Sequence, residues 1–396
     1  MSAYGIFTSE SVTPGHPDKL CDQLSDAIVD GFLSADPHAR INAECAIATG
    51  LLFVAARFAG EAKVDIPNIA RKIIGDVGYS EGEFNARDCT ILTSLQELPP
   101  SAYRRIEYSA LGEEELNRIG ASHQVTVFGY ACDQTPVFTP LPIYLAHKLS
   151  RQLEAAWRSK SLPYLGVDAQ SQVAVEYERR HPKRIHGIAL VASQREGFAP
   201  ALDRLRADLI ETVIRPAFSD EPFVPDQAAQ IFVNPEGAVV GGGPMLHAGL
   251  TGRKAGIDTY GEYVRQSGSA LSGKDVTRID RIAAYAARYA AKNVVAAGIA
   301  AECEVQLSYT IGLAQPVSIG VETYGTARLT EEDIVQRLRA HFDFRPAGIV
   351  KEFALHRAPQ ANDGAFFARL AAYGHIGRDD VDLPWERLDK LDALRG

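Results

Sequence analysis

Cysteine is scarce in this chain and badly placed for pairing. Cys21, Cys45, Cys89, Cys132 and Cys303 are odd in number, widely scattered and form no C-x-x-C pair. That spacing suggests neither a disulfide framework nor a thiolate zinc site. Long apolar runs are absent too: the most apolar stretch, 45–60, is interrupted by Gly50 and Arg57 and is too short to span a bilayer. The opening MSAYGIFTSE shows no basic segment followed by an apolar one, so no secretory signal is visible and a cytoplasmic location is expected. A basic excess is missing as well. The net charge of −9 argues against a general nucleic-acid or anionic-membrane binder, so any polyanion site has to be a local basic pocket.

What is present is ordinary soluble-protein material. The 396 residues are 46% hydrophobic and 23% charged, enough to bury the cores of two or three domains. Leu20, Leu24, Ile28 and Phe32 recur every four residues opposite Asp18, Asp22, Asp26 and Asp30, which predicts an amphipathic helix over 17–34 with a solvated acidic stripe. Strands are predicted at 41–48 and 51–58, a helix at 67–77, and strands at 89–95 and 124–130. A helix follows at 141–160, a hairpin at 171–177 and 185–193, and a helix at 201–214. A short strand at 230–233 precedes a long helix at 280–301, strands at 304–311 and 318–323, and a helix at 331–342. Residues 99–119 read as a linker and 379–396 as a charged peripheral tail. The recurrence of strand pair and helix points to α+β domains. The expected boundaries are 1–105, 117–233 and 234–378, with the tail beyond.

Three segments carry candidate chemistry. Residues 241–261, GGGPMLHAGLTGRKAGIDTYG, set Arg253 and Lys254 in a glycine-flanked turn, where backbone N–H groups and cations suit a polyphosphate. Residues 268–275, GSALSGKD, match the first seven positions of a Walker A loop. Asp275 stands where a hydroxyl should be and no buried strand leads in, so a P-loop is rejected. Lys274 still precedes a helix start, where Thr277 and Asp280 have capping-box spacing. The third segment, Gly15-His16-Pro17-Asp18-Lys19, packs an imidazole, a carboxylate and an amine at another helix start, and Asp18 suits a magnesium ion.

Together FTSESVTPGHPDKLCDQLSDA, GGPM…GLTGRK…DTYG, SGKD…DR…AAYAARYAAKN and YGHIGR closely resemble the S-adenosylmethionine synthetases, from about Phe7 to Trp385. The resemblance implies three similar α+β domains with pseudo-threefold symmetry and a homodimer whose sheets pack face to face around shared active sites; dimers could pair into tetramers. It implies attack by a thioether sulfur on C5′ of ATP, with triphosphate expelled and then cut to pyrophosphate and phosphate. By the same resemblance, His16, Arg253 and Lys274 are catalytic and Lys254 and Gln170 bind phosphate. Phe232 and Asp168 hold adenosine, Asp18 and Asp280 hold Mg2+, and Glu44 holds K+.

Departures from the family pattern gather in the acceptor pocket. The aspartate of the family's GAGDQG loop is His123, the aspartate expected to hold methionine's amino group is His247, and a glutamate is Arg57. An expected glutamine is Leu98, a lysine is Arg278, and a further lysine, in DAKSQV, is Gln170; Ile311 is retained. Carboxylates attract an ammonium and Arg57 would repel it, so the expected acceptor lacks methionine's free ammonium or is more anionic. Ordinary methionine use, and a non-catalytic ATP-binding paralogue, are the alternatives.

Overall fold

The computed structural model describes residues 4–396. Twelve strands form three sheets. The first joins β1 (Tyr4–Val12), β6 (Leu165–Glu178), β7 (His181–Gln194) and β8 (Gln230–Val233) in that order, with β9 (Val239–Val240) also on β7. The second runs β10 (Gly249–Leu250), β2 (Arg40–Ala48), β3 (Leu51–Ala59), β4 (Thr90–Glu97). The third runs β12 (Ser318–Glu322), β11 (Glu302–Tyr309), β5 (Val125–Cys132). Each sheet therefore draws strands from separated parts of the chain: β1 pairs antiparallel with β6, and β5 with β11.

One long helix backs each sheet. Helix α1 (Pro17–Ala35) packs on β2 with α2 (Ile66–Val77) beside it, α3 (Leu141–Arg158) packs on β6 and β1, and α5 (Ile279–Ala296) packs on β5 and β11. Between them in sequence lies α4 (Leu202–Leu209), which runs on through a wider turn to Ala217 rather than ending as a regular helix near 214. Helices α1 and α5 are buried along almost their whole length. The sheets keep an outward face instead, and on the second sheet it carries apolar side chains: Leu51, Phe53 and Leu92 are exposed on it.

Three expectations change. The acidic stripe of α1 is not solvated: Asp22 and Asp26 are fully buried, Asp30 nearly so, and Asp18 is 5% exposed. Each carboxylate has found backbone N–H or cationic partners on segments that arrive from later in the chain. Residues 99–119 are no loose linker; they hold turns at Pro100–Ala102 and Tyr108–Ala110 and a helix at Glu113–Arg118, with Tyr108 and Leu116 buried. The tail is pinned as well. Trp385 has no exposed surface, stacks on Tyr285 at 3.7 Å, and donates its indole N–H to the His375 carbonyl. Glu386 beside it accepts from Arg288 and Lys292, so a charged stretch is drawn inward by buried cations of α5.

Candidate active site

Most of the side chains nominated above fall into two clusters, and the acidic stripe of α1 explains where both lie. At its first turn Asp18 accepts the Leu250 N–H at 3.0 Å, with Arg253 3.6 Å away. One turn on, Asp22 accepts the Gly252 N–H at 2.7 Å and the Lys19 ammonium at 3.0 Å. Asp26 accepts the Gly273 N–H at 2.8 Å and two 2.6 Å bonds from Arg281, whose guanidinium also donates to the Lys274 carbonyl. Asp30 takes the N–H groups of Phe367 and Ala368. One helix face thus fixes both cation-bearing loops. Glycine is required at the contacts: a Cβ on Gly249 would lie 2.2 Å from the Pro17 carbonyl, and Gly273 has φ +79° with Ala43 O in the way.

The first cluster gathers at the start of α1. His16 is the helix N-cap, its Nδ1 accepting from the Asp18 N–H at 3.2 Å. Its ring centroid is 4.9 Å from that of His247, whose Nε2 is 3.0 Å from the Asp168 carboxylate. The register of β6 on β7 shifts between Leu165 and Ala169, a bulge that holds Asp168, and its Oδ2 also accepts the Gly243 N–H. Burial drives the His16 imidazole down to about 4, against the pull of Asp168 and Asp18, so it is neutral near pH 7. The hydrogen bond to Asp168 raises His247. Lys254 closes the group, held by Glu10 at 2.6 Å.

The second cluster surrounds Asp280 in the first turn of α5. Lys274 lies 3.1 Å and His123 2.6 Å from the same carboxylate oxygen. Burial alone would raise the Asp280 carboxyl; Lys274 and His123 overcome it and hold the group below its usual value. Burial lowers the Lys274 ammonium. The capping box does not form: Arg278 is the N-cap without a side-chain bond, and Asp280 faces Lys274 and His123 instead. Asp275 is structural, accepting the N–H groups of Ile41 and Thr277. Arg57 joins this neighbourhood through the sheet, since it pairs in register with Asn42, which bridges to Lys274, and paired residues share a face.

Among the described residues, no side chain of one cluster hydrogen-bonds a side chain of the other. The remaining nominees stand outside both. Glu44 is exposed on β2 with one 3.4 Å contact from Asn42, Phe232 is half-exposed on the edge strand β8, and Ile311 is exposed after β11. Leu98 follows β4 and donates its N–H to Phe58, and Gln170 lies mid-sheet between Val12 and Val191. Asp22, Asp26, Arg281 and Glu10 were missed as site residues. The four-residue spacing of the aspartates was visible, but nothing marked them as buried.

With that geometry in hand, family models match end to end: S-adenosylmethionine synthetase N-terminal domain over residues 4–100, central domain over 118–239, and C-terminal domain over 241–387. The chain belongs to the S-adenosylmethionine synthetase family. It is 45% identical over 403 residues to the S-adenosylmethionine synthase of Synechococcus sp. (strain JA-3-3Ab), covering 98% of this chain and 97% of that one. The S-adenosylmethionine synthase of Rippkaea orientalis is 44% identical over 408 residues, with 100% and 97% covered. A transferase that binds ATP and uses Mg2+ and K+ is what this family is. The donor types here fit hard ions: Asp18, Asp280 and Glu44 all carry carboxylate oxygens, the ligands magnesium takes. No helix among the described residues is long and apolar enough to cross a membrane.

Proposed function

We propose that this chain makes S-adenosylmethionine from ATP and methionine, in the cytoplasm and as a homodimer with active sites shared between protomers. The observation that carries this is the 45% identity to S-adenosylmethionine synthases along 98% of the chain. It supports ordinary methionine use, the alternative reading, better than an altered acceptor. The methionine sulfur attacks C5′ of ATP, the C5′–O bond breaks, triphosphate leaves, and water then cuts it to pyrophosphate and phosphate. Arg253, Lys254, Lys274 and His16 meet the charge that grows on the departing phosphates, a preorganised field worth several kcal/mol or more in such reactions. Gln170 contributes a hydrogen bond there. Asp168 and Phe232 orient adenosine. Asp18 and Asp280 would hold magnesium, which would supply further charge neutralisation, and Glu44 would hold potassium.

Two half-sites in one protomer are what a shared site asks for. The exposed face with Leu51, Phe53 and Leu92 is the proposed contact between protomers, and pairs of dimers would form a tetramer. The proposed domain limits remain 1–105, 117–233 and 234–378.

A second reading has its own support. His247 and His123 occupy the carboxylates Asp168 and Asp280, and Arg57 shares a sheet face with Lys274. An acceptor without an ammonium, or with an added anionic group, fits that polarity. The deciding experiment incubates the protein with ATP, Mg2+, K+ and methionine and follows both S-adenosylmethionine and triphosphate products by mass spectrometry. Rapid S-adenosylmethionine formation at sub-millimolar methionine is expected. Turnover only with a deaminated or more anionic thioether would replace methionine as acceptor, and no turnover with any thioether would make the chain a nucleotide-binding paralogue.

A further inference from the structure

The His16 cluster has a property that adenosyl transfer does not use. One donor atom from each of His16, Asp168 and His247 lies within 4.8 Å of the other two. Two imidazoles and a carboxylate around an open position are the donor set of zinc-class ions, not of magnesium, which takes oxygen. A separate observation points the same way. Asp168 is 7% exposed, its Oδ2 is taken by Gly243 and His247, and its buried Oδ1 has no hydrogen-bond partner. A buried carboxylate oxygen left without a donor has room for a cation as well as for the adenosine contact proposed for Asp168.

We propose that His16, Asp168 and His247 form a binding site for one divalent ion of the zinc, cobalt(II) or nickel(II) class per chain. Metal–ligand bonds of about 2.0–2.2 Å bring such donors to roughly 3.5 Å from one another. The half-exposed His247 ring is the member free to swing inward, while Asp168 is held by Gly243 and His16 by the helix start. Coordination through His16 Nε2 places that ring's proton on Nδ1, so the ring gives up the N-cap bond from the Asp18 N–H and turns Nδ1 toward Asp18 Oδ2, 3.9 Å away. A carboxylate behind a ligating histidine orients the ring and strengthens it as a donor. The ion supplied to this site is thus distinct from the magnesium assigned to Asp18 and Asp280, and the site stands whichever acceptor the protein uses.

The test is a titration of tag-free full-length protein, freed of metal by chelator, with Zn2+ in a calorimeter and with Co2+ followed by visible absorption. One ion per chain is expected to bind with micromolar or tighter affinity, and Co2+ to give the intense bands of a four- or five-coordinate site. His247→Ala and Asp168→Asn should each weaken binding at least tenfold, whereas His181→Ala, an exposed histidine elsewhere, should leave it unchanged. Circular dichroism and a melting curve on each variant separate loss of the site from loss of the fold. No stoichiometric binding, or binding that survives both His247→Ala and Asp168→Asn in folded protein, overturns the proposal.

Discussion

Helix α1 and strand β3 reverse each other's rule. On α1 the polar face is buried as deeply as the apolar one, with Asp22 and Asp26 showing no exposed surface. On β3 the residues alternate properly, but Phe53 and Leu51 stand on the open side, Phe53 at 40% exposure. A helix with two buried faces serves as a hub, and its carboxylates hold the loops that carry Arg253 and Lys274. A strand with an apolar open face serves as a surface awaiting cover. The lesson is that polarity alone predicts neither; what matters is which segments arrive later to pair with it.

The contrast can be broken most sharply at Asp26. Asp26→Ala leaves Arg281 buried without its carboxylate and frees Gly273, so unfolding free energy should fall by about 3–5 kcal/mol. Denaturant titration checks this, and a loss under 1 kcal/mol would mean the hub is not held there. On the other side, Phe53→Asp puts a charge on the apolar face. It should weaken dimerisation at least a hundredfold while leaving the secondary structure intact, read as concentration-dependent mass by sedimentation. An unchanged dimer would relocate the interface.

The smallest effect sharpens the hub's electrostatics. Burial lifts the Asp30 carboxyl to about 7 although it accepts two backbone N–H bonds. Its unfolded value is about 4. The folded state therefore keeps a proton that the unfolded chain has lost, and this contribution is complete below pH ~4 and gone above pH ~7. Asp30→Asn should flatten the stability profile between those limits by on the order of 1–3 kcal/mol relative to the parent, measured by urea midpoints across pH.

Much of the architecture was legible from periodicity. Helix α1 and the β2–β3 pair follow from four-residue and two-residue repeats, and α5 from its long alanine-rich run. Pairing across long separations was not: nothing local to β1 specifies β6 as its neighbour. The tail shows the same limit, because Trp385 and the apolar residues around it are interleaved with charges and follow no clear helical or strand period. At the site, the motif residues His16, Asp18, Arg253, Lys254, Lys274 and Asp280 could be named. The contact of His123 with Asp280, 157 residues apart, could not, because it depends on the third sheet bringing the 120–123 segment to the start of α5.

The fastening of α1 also sets an order of assembly. Its aspartates need Leu250, Gly252, Gly273, Arg281, Phe367 and Ala368, and β1 needs β6. An emerging N-terminal third has its hydrophobic repeat but none of these partners, so four carboxylates would stay hydrated and the helix loosely seated. Full closure needs the chain through residue 368, so truncations that remove Phe367 and Ala368 strip partners from a helix near the opposite end of the chain.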